Sequence, residues 1–106
     1  MSEALDRLFA TIAARKGADP AQSYTAKLLA EGAEKCAKKF GEEAIEAVIA
    51  AVTGNKSELA KESADVLYHL AVLWAASGVT PEDVYAVLQS RQGRSGLEEK
   101  ASRTQA

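Results

Sequence analysis

Two pairs of carboxylates, Glu43 with Glu46 and Glu62 with Asp65, each sit three residues apart in the segments GEEAIE (41–46) and ESAD (62–65). In a helix the members of such a pair lie about 60° apart in projection. Their Cβ atoms are then about 5–6 Å apart, close enough for both carboxylates to reach one cation. Glu42 stands one i+4 step before Glu46 and borders the group, and His69 falls between Glu62 and Asp65 in projection, one turn further along the same stripe. Like charges so placed oppose folding, and two pairs facing each other across a helix pair raise carboxylate pKa values. A divalent cation reverses the sign of that interaction. Mg²⁺ in particular takes oxygen ligands and binds through a few carboxylates, water and substrate phosphates. The same spacing also serves a solvated face whose acids pair with Lys38, Lys39 and Lys61, and spacing alone leaves both readings open.

Immediately before the first acids, Lys27, Lys35, Lys38 and Lys39 stand against Glu31 and Glu34. A cation site beside ammonium groups suits a polyphosphate, with metal for some phosphate oxygens and lysines for others. Each lysine taken singly reads equally as helix surface.

The elements that must carry these groups are all helical. Leu5, Leu8, Phe9, Ile12 and Ala13 repeat at helical spacing within 2–16, and Gly17 and Pro20 break the pattern. Ser23 is placed to cap a helix over 24–31 that ends at Gly32. A long helix over 33–52 follows, in which Ile45, Val48, Ile49 and Val52 are expected to face a core while Ala44, Ala47, Ala50 and Ala51 allow close packing. After TGNKS, with Ser57 as the expected cap, a second long helix runs to about Ser77 and is apolar nearly all round beyond Asp65. Gly78 stops it. Thr80, Pro81 and Asp83 form a capping-box start for a last helix ending near Arg91. The segment 93–106 is rich in Gly, Ser and charge and is expected to be a flexible polar tail. The expected architecture is therefore all-α, a bundle of four to five helices over residues 1–92. Its two long central helices would form a four-helix-bundle core completed by dimerisation, because a helix as apolar as 66–76 asks for burial on several faces.

A chain of 106 residues fits one domain. Its net charge of −2 excludes a strongly basic nucleic-acid-binding surface. The single cysteine, Cys36, builds no disulfide framework and reads as a core or interface residue rather than a nucleophile. No run approaches the ~18 apolar residues of a membrane span, and acids at Glu3 and Asp6 argue against a signal peptide. The expectation is a cytoplasmic protein without nucleic-acid or membrane partners.

SYTAKLLAEGAEKCAKKFGEEAIEAVIAA together with ESADVLYHLAVLWAASGVTPEDVYAVLQSR resembles the phosphoribosyl-ATP pyrophosphohydrolase family of histidine biosynthesis. The resemblance runs from about Leu5 to Arg91. The acid motif E-E-x-x-E followed by E-x-x-D is shared with the wider MazG-like, all-α nucleotide pyrophosphohydrolase superfamily; the flanking SYTAKLL, KKFGEEAIE and ADVLYHL narrow it. The resemblance implies Mg²⁺-dependent hydrolysis of phosphoribosyl-ATP to phosphoribosyl-AMP and pyrophosphate, with Mn²⁺ as an alternative ion and a homodimer or higher homo-oligomer as the assembly. By position it makes Glu43, Glu46, Glu62 and Asp65 metal ligands and gives Glu42 the water or a further ion. Tyr24, Thr25 and Lys27, at a helix start, become candidate substrate contacts together with Lys35, Lys38 and Lys39. His69 either bonds a ligand or phosphate or is a helix-interface histidine, and Arg91 is placed to reach the phosphoribosyl group. Two further readings stand beside this one: a house-cleaning pyrophosphatase for dUTP or non-standard triphosphates, and a helical dimerisation module without catalysis.

Overall fold

The computed structural model describes residues 2–92. Five helices follow one another: α1 (Glu3–Ala13), α2 (Tyr24–Glu31), α3 (Ala33–Val52), α4 (Lys56–Ser77) and α5 (Pro81–Ser90), with no strand among the described residues. Side chains capping the first-turn amides explain most of the starts. The Ser2 hydroxyl accepts from the Leu5 amide, and Ser23 accepts from Ala26. Thr80 and Asp83 complete the reciprocal capping box expected for α5. Two boundaries differ from expectation. Helix α1 stops at Ala13, and turns over 14–17 replace its last turn. Helix α4 is capped by Asn55, whose Oδ1 accepts from the Glu58 amide at 3.0 Å, rather than by Ser57. Gly54, at φ +74°, reverses the chain tightly enough to bring Asn55 to that position. The tail expected over 93–106 lies outside the described residues.

Helices α3 and α4 form an antiparallel hairpin that supplies the main packing of the fold, and α1 and α2 lie against it. Ile12, Leu28, Cys36, Ala71 and Val72, drawn from all four helices, make the buried cluster. Fully burying a large aliphatic side chain contributes about 1.5–3 kcal/mol, so Ile12 and Val72 anchor α1 and α4. The Cys36 thiol donates to the Leu28 carbonyl at 3.2 Å, and burial, with Glu31 nearby, pushes its pKa up. A thiol so held is a packing group. The last helix is tied back by the Tyr85 hydroxyl, which donates to Asp6 Oδ1 at 2.9 Å.

One expectation is corrected. Ile45, Val48, Ile49 and Val52 do not face a core within the chain; they are 62%, 59%, 54% and 78% exposed. Helix α3 turns its small side, Ala44, Ala47 and the buried Ala50, away from solvent instead. Small residues let helix axes approach closely, and that approach leaves the bulky stripe outside, with Leu67 of α4 also half-exposed.

Candidate metal centre and lysine cleft

The α3–α4 hairpin brings the two acid motifs face to face. Glu43, Glu62 and Asp65 can each offer a carboxylate oxygen within 4.8 Å of the others. Glu46 lies close enough to both Glu43 and Glu62 to act on their charges. The pKa of Glu43 is raised first by burial, then by Glu46, Asp65 and Glu62; that of Glu62 is raised by burial, then by Glu46 and Asp65. Glu58, one turn before Glu62, adds to the same repulsion.

His69 is buried behind this cluster with its Nε2 3.9 Å from Glu43 Oε1, beyond hydrogen-bond length. Burial, and secondly the Lys39 charge, lower its pKa, with Asp65 opposing, so it stands as a neutral ring at pH 7. The edges of Tyr24 and Tyr68 flank it, at centroid distances of 6.4 and 5.0 Å. Among the described residues, Glu62 Oε2 and His69 Nδ1 are buried without a hydrogen-bond partner. Such atoms ordinarily find one. A hard divalent cation fits this donor set: the ligands are all carboxylate oxygens, one buried oxygen lacks a partner, and the mutual repulsion is of the sign a cation removes.

The lysines gather next to it. Tyr24, Lys27, Leu28 and Glu31 of α2 and Lys35, Lys38, Lys39 and Glu42 of α3 line a cleft of about 320 Å³. Both sets follow i, i+3, i+4, i+7 spacing, one face of each helix. Gly32, whose φ of +96° only glycine adopts readily, joins the two helices and forms the vertex of the cleft. Lys39 Nζ meets Glu42 Oε1 at 3.5 Å, and its pKa is raised first by the nearby Tyr24 and then by Glu42. Tyr24, Lys39 and Glu42 thus share the end of the cleft that abuts the acids.

Three residues stand apart from the trio of close oxygens, and two of them from the lysine cleft as well. Glu42 lines the cleft beside the lysines. Thr25 shares a hydrogen bond with the Tyr68 hydroxyl and ties α2 to α4. Arg91 caps the end of α5 and lines a separate cleft with Val79, Asp83, Val84, Val87 and Leu88. Tyr68 and Glu58 are additions that sequence reasoning passed over. Their signals were their offsets, three residues after Asp65 and four before Glu62, which put them on the acid-bearing face.

The phosphoribosyl-ATP pyrophosphohydrolase family profile matches residues 5–92 of this chain. A protein of Cereibacter sphaeroides is 64% identical over 99 residues, which cover 93% of this chain and 96% of that protein. Relatives from Parvibaculum lavamentivorans and Paracoccus denitrificans are each 65% identical over 99 residues, covering 91% and 92% of their lengths. All three are named phosphoribosyl-ATP pyrophosphatase.

Proposed function

The chain belongs to the phosphoribosyl-ATP pyrophosphohydrolase family, and from that premise we infer that it hydrolyses phosphoribosyl-ATP to phosphoribosyl-AMP and pyrophosphate, in histidine biosynthesis. The observation that carries the reading to particular residues is the convergence of Glu43, Glu62 and Asp65 within 4.8 Å beside the lysine cleft. These three and Glu46 would hold Mg²⁺, or Mn²⁺ in its place. When bound, such an ion neutralises phosphate charge and makes water a stronger nucleophile.

The chain's own groups supply the rest. Lys38 and Lys39 lie beside the acids and offset the charge of the departing pyrophosphate. Glu42, between the acids and the lysines, orients the attacking water and takes its proton. The water oxygen bonds to the α-phosphorus, the bond to the bridging oxygen breaks, and pyrophosphate leaves with that electron pair. No covalent nucleophile is required. The buried, neutral His69 ring backs Glu43 and restricts where its carboxylate can turn.

The exposed stripe of Ile45, Val48, Ile49 and Val52 supports a homodimer in which the α3–α4 hairpins of two copies complete a four-helix bundle. No helix of the described residues is long and apolar enough to cross a membrane; a cytoplasmic location fits the proposed step.

The test is pyrophosphate release from phosphoribosyl-ATP with Mg²⁺, together with growth of a histidine auxotroph lacking this step. The protein should support both, and Glu46→Gln and Asp65→Asn should each lower release by at least about 100-fold, roughly the loss of one strong electrostatic contact to the transition state. Absence of rescue with efficient hydrolysis of free triphosphates would transfer the same site to house-cleaning chemistry.

A further inference from the structure

We propose that the vertex of the α2–α3 cleft, at Lys27 and Lys35, is a second phosphate subsite. It would hold the terminal phosphate of the phosphoribosyl group and so distinguish phosphoribosyl-ATP from ATP. The proposal rests on the activity inferred above and goes beyond it in dividing the lysines between two anionic ends of one substrate.

Position along α3 divides them. Lys39 precedes Glu43 by four residues and Lys35 by eight, a rise of about 6 Å against about 12 Å. A diphosphate is no longer than about one helical turn, so Lys38 and Lys39 already span a pyrophosphate that starts at the acids. Lys35 lies beyond its reach. Lys27, on the facing helix, lines the same cleft with Lys35 and Leu28, and Glu31, four residues from each lysine, is the one carboxylate that lines this end with them. Charge leaves them available: among the described residues Lys39 meets Glu42 at 3.5 Å, while Lys27 and Lys35, like Lys38, are in no ion pair.

Between the two ends, the cleft offers an aromatic and an aliphatic side chain, Tyr24 and Leu28. Tyr24 is half-exposed and stands at the acid end, against Lys39 and the His69 ring. A purine lying along these groups with its triphosphate at the acids directs its other substituent toward the vertex. ATP has nothing to place there. Phosphoribosyl-ATP has a dianionic phosphate, and two ammonium groups against the single carboxylate of Glu31 leave the net positive charge it needs.

The experiment measures binding without metal or turnover. Phosphoribosyl-AMP and AMP are titrated into the full chain in EDTA by calorimetry, with Lys27→Gln and Lys35→Gln as variants. Both positions are exposed, so both variants should fold, which circular dichroism verifies. The unchanged protein should bind phosphoribosyl-AMP at least about tenfold more tightly than AMP, the lower range for charge-assisted contacts at an open site. Each substitution should remove most of that preference and leave AMP binding unchanged. Equal weakening of both ligands would assign the vertex to the nucleotide's own phosphate and overturn the proposal, as would an absence of preference in the unchanged protein. Failure of the unchanged protein to release pyrophosphate from phosphoribosyl-ATP is a separate result, and it strikes the activity rather than the division of the lysines.

Discussion

Glu43→Gln should stabilise the metal-free protein and destabilise it, relative to the original chain, once Mg²⁺ is added. Glu43 shares its site with Glu62 and Asp65, all with oxygens within 4.8 Å. At that separation two unit charges in water repel by about 0.9 kcal/mol, so two neighbours amount to about 1.7 kcal/mol before salt screening and about 1 kcal/mol at physiological ionic strength. The substitution keeps the side-chain shape and removes the charge. In EDTA at low salt the variant should therefore melt higher, by about 4–8 °C for each kcal/mol in a domain of this size. Mg²⁺ at 100 times its dissociation constant adds about 2.7 kcal/mol to the original chain and less to a variant that has lost a ligand, so the order of the two melting temperatures should invert. Scanning calorimetry of both proteins in EDTA and in a Mg²⁺ series reads this directly. A variant that melts lower in EDTA, with Mg²⁺ raising both proteins equally, would refute the idea that these carboxylates repel one another around a cation site.

Acidification supplies a second expectation. Glu43 and Glu62 have folded-state pKa values raised above the ordinary 4.5, so the folded state binds protons more readily than the unfolded one. Their contribution to stability is fully present below the unfolded pKa and is lost as pH rises through the raised values. The urea midpoint of metal-free protein should accordingly increase from pH 7 toward pH 5, and saturating Mg²⁺ should flatten that slope; a midpoint that falls over this interval in EDTA contradicts it. Val48→Glu, on the exposed stripe of α3, should convert a dimer to monomer in sedimentation at micromolar concentration, whereas a monomeric unchanged chain would dispose of the dimer.

Much of this architecture was legible in local chemistry. Ser23, Thr80 with Asp83, and Gly78 mark helix ends through the amides and carbonyls they satisfy, and such signals require nothing from the rest of the chain. The acid pairs were legible for the same reason: three-residue spacing fixes the face within each helix. What spacing could not supply is which helices meet. Ile45, Val48, Ile49 and Val52 have the pattern of a buried stripe, but α3 uses its alanine side against α4, because the hairpin can close more tightly there. Thr25 stood at a helix start suited to an anion, and its hydroxyl instead meets Tyr68, a partner 43 residues away. Glu42 belongs to the acid motif in sequence, yet the helical turn directs it to the lysines.

The shortness of α2 bears on how the protein would fail under stress. Eight residues are fewer than the roughly 12–15 at which a helix begins to stand alone. The segment survives because Ala26 and Leu28 are buried, because Leu28 receives the Cys36 thiol, and because Thr25 meets Tyr68. The acid-bearing hairpin depends less on such single contacts, being built of helices of 20 and 22 residues packed along each other. Fraying of α2 would dissolve one wall of the lysine cleft and leave the carboxylates where they are. On the function proposed above, a marginally destabilised chain would keep a cation site while losing a nucleotide cleft, so retained metal binding would be a poor certificate of an intact enzyme.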